Sequence, residues 1–499
     1  MRGLLIMDKI STGLNNLDRI LEGGLIKNRV YLVKGGPGSG KTTLGLQFLL
    51  EGVRNNEQTL YITLAEKWGE IKENALNFNN WNKGIIEKIK ILDLTPKADE
   101  FLEGESYDIF SPSEVEKEPV LTSIANKIEK HSPERLVVDS LTQLKMLYGE
   151  QFDYRKQLMS LVSFLNSKDI TAYLLTEQLQ SSSDIDAPFL THGIFNLSRK
   201  TDNKNVAKKY LQVSKFRGSA YMSGKHEFEI CNKGIKIFPR VECHNQDKKE
   251  NLDLLSSGVP EIDEMLKGGI NKETVSIITG QSGVGKTTLG FTFVRNALSS
   301  HMKSQVYMFN ESVRVLERKL NGLNMNFGEM LKDDNFKITE VNPIKTSANQ
   351  FLNMVYEDVR QKDVELVLID SLNTFLLSID EEGNNENYII YNLVNFLNDE
   401  GVTTILTHEI SKITGDFSLT THGTSYIVDT IIFMRYLEIQ GELQRAIGIF
   451  KKRLGDHEDK LRKFDITDYG LKVGEPLENV RGILEGSPEF IENDKGEKV

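Results

Sequence analysis

Two glycine-rich segments, each ending in Gly-Lys-Thr, could do the clearest chemistry in this 499-residue chain. Both match a phosphate-binding loop, in which backbone N–H groups surround phosphate, the lysine reaches the β- and γ-phosphates and the threonine hydroxyl can hold Mg²⁺. Lys41 and Lys286 are also predicted to act in catalysis through this phosphate contact. The predicted nucleotide-binding residues are Gly35, Gly38, Ser39, Gly40, Lys41, Thr42, Thr43, Gly280, Gly283, Val284, Gly285, Lys286, Thr287 and Thr288.

Two aspartates are candidate partners of the loop threonines. Asp139 and Asp370 each end an apolar, strand-like run and are each followed by serine. A carboxylate at this place orients Mg²⁺ through water beside the loop threonine. Taken alone, a strand ending in Asp-Ser would more simply be a strand-end cap, but the phosphate loop upstream favours the metal role. The predicted metal-binding set is Thr42, Asp139, Thr287 and Asp370.

Two glutamates are candidates for the catalytic base. Glu66 and Glu311 follow the strand-like runs 59–64 and 305–309. A carboxylate there can orient or deprotonate an attacking water or hydroxyl. The alternative is a solvated glutamate at a strand end.

The elements around each loop predict an α/β fold. Each loop follows an apolar run (30–33 and 275–279) and opens a helix-like run (42–50 and 287–298), and further apolar strands alternate with helix-length connections. This alternation indicates a mostly parallel sheet with helices on both faces, whose ligands bind beyond the carboxyl ends of the strands.

The two halves are a duplication. Matching positions lie 245 residues apart (280 − 35), and the match extends upstream to residues that singly would indicate only a turn and a helix cap. We therefore predict two tandem domains, 1–246 and 254–485, joined by a polar linker and followed by a flexible tail, 486–499. The upstream matches are Ser11, Gly13 and Asp18 with Ser256, Gly258 and Asp263.

Composition limits the remaining function classes. The chain carries 39% hydrophobic and 27% charged residues, typical of a globular protein, and no apolar run reaches the ~18 residues that span a bilayer. We expect a cytoplasmic protein without a membrane partner. The net charge of −11 makes nucleic acid an unlikely partner, because that binding depends on clustered cations. Cys231 and Cys243 show no metal or disulfide spacing.

Beyond the loops, several motifs resemble the KaiC-like family of circadian clock ATPases and autokinases. They cover nearly the whole chain, and the tandem arrangement with the run after residue 428 makes the resemblance specific. These motifs are Ser-x-Gly with Leu-x-Gly-Gly before each loop, both Asp-Ser strand ends, Lys215-Phe216-Arg217-Gly218, Val428-Asp429-Thr430-Ile431-Ile432, Phe450-Lys451-Lys452-Arg453 and Glu485-Gly486-Ser487-Pro488.

The resemblance implies two tandem RecA-like P-loop NTPase domains, with ATP and Mg²⁺ as cofactors. It implies a homohexamer of two stacked rings, with ATP at subunit interfaces and Lys-x-Arg cations reaching the neighbouring subunit's γ-phosphate, as arginine fingers do. It also allows a KaiB-like regulatory protein as a partner. The residues carried over as contacts to a neighbour's nucleotide are Lys215, Phe216, Arg217, Lys451 and Arg453.

Two departures from the family pattern affect catalysis. The family has adjacent glutamates and uses the first as base, but here Ala65 and Asn310 precede Glu66 and Glu311. Either these glutamates take over or water is activated weakly, so we expect slow but persistent hydrolysis. At the family's Ser-Thr phosphoacceptor pair, Ser425 remains and tyrosine follows it.

Ser425 is the predicted phosphoacceptor, because a serine hydroxyl beside a γ-phosphate needs in-line positioning and modest base help. An ordinary loop hydroxyl is the alternative, and Tyr426 is a second candidate acceptor. We expect a KaiC-like hexameric ATPase with serine autophosphorylation and dephosphorylation in the second domain, acting as a timer or signalling switch. The alternatives are an ATP-dependent protein scaffold without kinase activity, or a RecA-type DNA recombinase or helicase.

Overall fold

The computed structural model describes residues 7–95, 114–148, 151–177, 186–201, 206–241, 251–379, 386–410, 427–439, 441–478, 480–481 and 489–490. The chain forms two compact units, Met1–Arg240 and Val241–Val499. Ser425, Tyr426 and most of the predicted linker and tail lie outside the described residues. The predicted limits at 246 and 485 do so as well, and the domain bounds therefore stay predictions.

In the first unit, strands alternate with helices. The strands are β1 Lys9–Ile10, β2 Leu25–Ile26, β3 Val30–Gly35, β4 Thr59–Thr63, β5 Lys90–Asp93, β6 Arg135–Asp139, β7 Thr171–Glu177, β8 Gly193–Thr201, β9 Ala207–Phe216, β10 Lys225–Cys231 and β11 Gly234–Phe238. The helices are α1 Asn15–Ile20, α2 Lys41–Arg54, α3 Trp68–Leu76, α4 Lys83–Ile86, α5 Glu114–His131, α6 Leu141–Tyr148, α7 Gln151–Ser167 and α8 Asp186–Leu190.

The second unit repeats this order. Its strands are β12 Leu254–Leu255, β13 Ile270–Asn271, β14 Val275–Gly280, β15 Ser304–Met308, β16 Phe336–Glu340, β17 Leu366–Asp370, β18 Thr403–Glu409, β19 Thr430–Ile439, β20 Glu442–Lys452, β21 Arg462–Thr467, β22 Gly470–Pro476, β23 Val480–Arg481 and β24 Glu489–Phe490. Its helices are α9 Pro260–Met265, α10 Lys286–Ser299, α11 Val313–Asn321, α12 Phe327–Met330, α13 Ala348–Lys362, α14 Leu372–Leu376 and α15 Glu386–Asp399.

Each unit has a nine-stranded sheet of the same topology. The orders are β11-β10-β9-β8-β3-β7-β6-β4-β5 and, read in the same direction, β22-β21-β20-β19-β14-β18-β17-β15-β16. In both sheets six strands are parallel, from β8 to β5 and from β19 to β16, and three antiparallel strands complete the edge. The predicted α/β class with a mostly parallel sheet is confirmed.

The central strand of each sheet is buried on both faces, which explains its continuous apolar sequence. In β3, Tyr31 and Val33 pack in the same core as Phe48 of α2, whereas Leu32 packs in the opposite core with Leu165 of α7. Because successive strand residues face opposite sides, one strand anchors helices on both faces. The phosphate loop between β3 and α2 is therefore held by a rigid support at each end.

The upstream residues matched in the duplication form the same turn in both units. The Ser11 hydroxyl donates to a carboxylate oxygen of Asp18, whose other oxygen accepts the next backbone N–H. Ser256 and Asp263 repeat these contacts. These contacts support the interpretation that the upstream residues have a structural role in a turn. Within the described ranges, no helix is both long and apolar enough to cross a bilayer.

Candidate functional site

Each phosphate loop lies between the carboxyl end of a central strand and the first turn of a helix. Gly40 and Gly285 precede α2 and α10 with φ of 100° and 119°, a left-handed conformation that glycine adopts without strain. In the first loop, a Cβ added at Gly36 or Gly38 would meet no atom within 4 Å. This open surface, at a helix N-terminus with unpaired N–H groups, fits a phosphate chain.

The loop lysines lie across the loops. Lys41 Nζ donates to the carbonyl oxygens of Gly35 and Gly36 at 2.8 and 3.0 Å. In the second loop, Lys286 Nζ donates to Gly280 and to the next residue at 2.9 and 2.7 Å. Burial lowers the pKa of both lysines, against the opposing effect of nearby carboxylates. Both ammonium groups are thus held where bound phosphate oxygens would lie.

The threonines and aspartates predicted to bind metal are brought together. Thr42 Oγ1 donates to Asp139 Oδ2 at 2.8 Å, and Thr287 Oγ1 donates to Asp370 Oδ2 at 2.6 Å. This pair fits Mg²⁺, which would take the hydroxyl oxygen, phosphate oxygens and waters oriented by the aspartate. The described residues contain no group of three or more His, Cys, Asp or Glu side chains that could hold a metal ion.

The two candidate bases have different surroundings. Partial burial, together with the negative charges of Asp139 and Glu70, raises the pKa of Glu66, while Asn74 donates a 3.4 Å hydrogen bond to it. Glu311 instead forms an ion pair with Lys319 at 3.4 Å. Burial and nearby negative charge make a carboxylate a stronger proton acceptor. The surroundings of Glu66 therefore suit a base, while Glu311 is held in an ion pair.

The residue before each glutamate also differs. Ala65 brings no functional group, but Asn310 donates from Nδ2 to Ser371 Oγ at 2.9 Å and accepts a hydrogen bond from the Thr374 hydroxyl. Ser371 directly follows Asp370, so the amide belongs to a polar network beside the metal-binding pair. Asn310 can orient water but cannot act as a base.

Lys215 lies toward the opposite end of the sheet from the phosphate loop of its own unit. It pairs with Ile194 of β8, which is level with Leu32 of β3. The loop begins after Gly35 at the carboxyl end of β3. With a strand rise of about 3.3 Å per residue, the Lys215 backbone lies about 10 Å behind the loop.

Side-chain contacts direct this lysine further from the loop. Lys215 Nζ donates to the carbonyl oxygens of Pro188 and Thr191, which precede β8, at 2.7 and 2.6 Å. The N–H of Arg217 donates to the His192 carbonyl at the same end of the sheet. Neither cation is placed to reach a nucleotide on its own loop.

The second unit repeats this arrangement. Lys451 pairs with Ile431, which is level with Ile277 near the start of β14. Arg453 lies at the same end, where its guanidinium contacts the Asp429 carboxylate at 3.4 Å. Both predicted Lys-x-Arg pairs therefore lie at the amino ends of their parallel strands.

Phe216 differs from its two basic neighbours. Its ring is buried and stacks on Tyr31, with ring centroids 5.8 Å apart. The side chain is thus committed to the core of its own unit, and only the Phe216 backbone remains as a predicted contact to a neighbour's nucleotide.

Polar residues on the strand beside each loop complete the site. Glu177 and Glu409 pair with the first loop glycines, and Glu409 Oε2 lies 4.0 Å from Lys286 Nζ. The sequence marks these strand ends as polar but does not distinguish phosphate sensors from caps. Buried His408 contacts the Thr279 hydroxyl at 3.2 Å, a structural role.

The second loop has an additional brace. Gln281 accepts a hydrogen bond from the Tyr436 N–H at 2.7 Å, and the Tyr436 hydroxyl donates to the Gly283 carbonyl at 2.8 Å. No sequence motif indicates this brace, because it joins residues more than 150 positions apart. The loop is held in shape by the neighbouring strand β19.

Comparison with known proteins decides the family. A family model described as the KaiC ATPase matches residues 10–242 and 255–478, one match for each repeat. The chain belongs to the KaiC ATPase family. Membership confirms the resemblance inferred from the loops and strand ends, and it implies ATP binding. Tandem RecA-like domains agree with the two sheets described above.

Curated relatives match along nearly the full chain. The circadian clock oscillator protein KaiC of Parasynechococcus marenigrum is 27% identical over 497 residues, covering 98% of this chain and 94% of that protein. KaiC of Prochlorococcus marinus is also 27% identical, with 98% and 97% covered. KaiC of Synechococcus elongatus is 29% identical, with 98% and 93% covered.

Proposed function

We propose that this KaiC-family protein is a hexameric ATPase in which each nucleotide lies between two subunits. The observation that supports this most directly is the placement of both Lys-x-Arg pairs at the amino ends of their sheets, away from their own loops. In a ring, such cations can face the loop of the next subunit. There Lys215 and Arg217, and likewise Lys451 and Arg453, would stabilise charge on the transferred phosphoryl group.

The first unit is proposed to hydrolyse ATP. Water oriented by Glu66 would attack the γ-phosphorus and pass a proton toward that carboxylate, while the bond to the ADP oxygen breaks. Lys41 and Mg²⁺ held by Thr42 and Asp139 would neutralise the phosphates. Support comes from the position of Glu66 just after β4, near the Thr42–Asp139 pair, and from the burial and nearby carboxylates that raise its pKa.

The second unit is proposed to act as an autokinase as well. The Ser425 hydroxyl of one subunit would attack the γ-phosphorus of the ATP bound to its neighbour, with Glu311 as the candidate acceptor of its proton, while the bond to the ADP oxygen breaks and ADP leaves. Transfer of the phosphoryl group from phosphoserine to ADP or water would later restore the serine. Support comes from the family resemblance and from the retained serine, because Ser425 lies outside the described residues. The cycle would serve as a timer or signalling switch, in the cytoplasm and with a KaiB-like partner.

Assembly size and phosphopeptide mapping test this proposal. We expect the full chain to form hexamers with ATP and Mg²⁺, and the peptide that contains Ser425 to gain one phosphate there by mass spectrometry. Lys286→Ala is the control, since it removes the second loop's phosphate contact and should leave this peptide unmodified. An unmodified Ser425 in assembled wild-type protein under all nucleotide conditions would contradict the autokinase proposal, and phosphate on Tyr426 would reassign the acceptor.

Two other functions make different predictions. A scaffold without kinase activity would assemble with ATP but leave Ser425 unmodified. A recombinase or helicase would show ATP turnover stimulated by single-stranded DNA. The net charge of −11 disfavours a recombinase or helicase. DNA binding relies on clustered Lys and Arg side chains, which neutralise the phosphates and release counterions from the DNA.

A further inference from the structure

The two metal-side aspartates are held by different donors. In the first unit, Asp139 Oδ2 accepts the Thr42 hydroxyl and, at 2.6 Å, the Tyr61 phenol. In the second unit, Asp370 Oδ2 accepts the loop threonine alone among the described residues, while Thr407 Oγ1 donates to the other oxygen, Oδ1, at 2.6 Å. The two sites therefore share the aspartate but differ in what orients it.

Sheet register shows that this difference is a substitution at matched positions. Tyr61 lies on β4 two residues before the partner of Asp139, and Val306 holds the matched place on β15. Conversely, Thr407 on β18 directly follows the partner of Ile369 and donates to Asp370, and the first unit has Leu175 at the matched place on β7. The first unit has Tyr61 and Leu175 at these two positions. The second unit has Val306 and Thr407 there, so the polar residue lies on a different strand in each unit.

The Tyr61 hydroxyl is fixed in place. Its side chain is fully buried, and its ring contacts Trp68 with centroids 5.7 Å apart. A buried phenol usually finds a hydrogen-bond partner, and a charged acceptor makes the contact stronger than a neutral one would. No described residue donates a hydrogen bond to Asp139 Oδ1, so that oxygen is left for a metal-bound water.

We propose that Tyr61 is a positioning residue for the divalent cation of the first site, acting through Asp139. By holding Oδ2, it turns Oδ1 toward the water shell of Mg²⁺ and makes this site's metal affinity depend on a residue that the second site lacks. Removing a hydrogen-bond partner of this outer shell typically changes metal affinity or activity by about 10–100-fold. The proposal rests on the nucleotide–Mg²⁺ binding proposed above for the first unit.

The test is Tyr61→Phe, which removes the hydroxyl and keeps the ring. The substitution is made in the full chain carrying Lys286→Ala, so that the measured nucleotide and metal binding comes mainly from the first site. Binding of a fluorescent ATP analogue is titrated with Mg²⁺, and Mn²⁺ binding is followed by electron paramagnetic resonance. We expect the cation concentration at half-saturation to rise about tenfold, while nucleotide binding in excess EDTA stays unchanged.

Tyr173→Phe is the matched control. Tyr173 is also fully buried in the first unit, but its hydroxyl has no hydrogen-bond partner among the residues that the structure describes. Removing it deletes the same group from the same core, and the Mg²⁺ requirement should stay that of the parent. The reciprocal variant Thr407→Val, in a Lys41→Ala background, should raise the requirement of the second site.

Three results separate the outcomes. An Mg²⁺ requirement for Tyr61→Phe equal to that of Tyr173→Phe would overturn the proposal. So would an equal loss of nucleotide affinity with Mg²⁺ and in EDTA, because that result indicates a packing role. If the Lys286→Ala parent itself binds no nucleotide with Mg²⁺, the proposed function of the first site fails, and this inference fails with it.

Discussion

Replacing Arg217 by alanine should lower ATP turnover at the first site by about 10³-fold, at the lower end of the effect of an arginine finger. ATP binding should persist, since the loop of the same subunit remains complete. The measurement is steady-state phosphate release in a Lys286→Ala background, with nucleotide binding followed separately. Arg54→Ala is the control, because that exposed arginine pairs with Glu51 on its own helix and its removal should leave turnover unchanged.

Mixing subunits distinguishes a contribution in trans from a local effect. Arg217→Ala subunits keep an intact loop, and Lys41→Ala subunits keep an intact arginine. In a randomly mixed ring, about a quarter of the interfaces would combine both intact parts, so turnover should return to about that fraction. Mixed rings of confirmed size with no recovered activity would show that Arg217 does not act across the interface.

The fold was predictable because its signals are local. An apolar run followed by glycines and Gly-Lys-Thr indicates strand, loop and helix without knowledge of distant residues. The ends were less accurate: β3 continues through Lys34 to Gly35, two residues past the apolar pattern. Pairing with Glu177 and Leu197 extends the strand there, and the sequence of β3 alone does not contain that information.

The site was predictable where one residue type suffices for the chemistry. The structure places Lys41 across its loop and brings Thr42 to Asp139, and each of these residues belongs to a short motif. Their roles in binding and catalysis stay predictions. Phe216 was carried over from a family motif with its two neighbours, but strand alternation places it on the other face, in the core. Tyr61 could not be identified as a site residue from the sequence, because its contact with Asp139 spans 78 residues and depends on sheet register.

The second large effect concerns the catalytic base. Glu66→Gln should lower first-site turnover by about 10²-fold, the lower end of the range for general bases, while nucleotide affinity changes little. Glutamine keeps the shape but cannot accept the proton. Turnover is measured in the Lys286→Ala background against the Lys41→Ala/Lys286→Ala double variant, which defines the signal without hydrolysis.

Glu311→Gln, in a Lys41→Ala background, is the matched variant of the second site and should reduce turnover far less. Lys319 holds Glu311 in an ion pair at 3.4 Å, whereas burial and the negative charges of Asp139 and Glu70 raise the pKa of Glu66 and favour its acceptance of a proton. Two glutamates at matched strand ends therefore differ in the charge of their neighbours. Equal losses for the two variants would contradict this assignment, and full activity of Glu66→Gln would mean that water at the first site is activated without a carboxylate base.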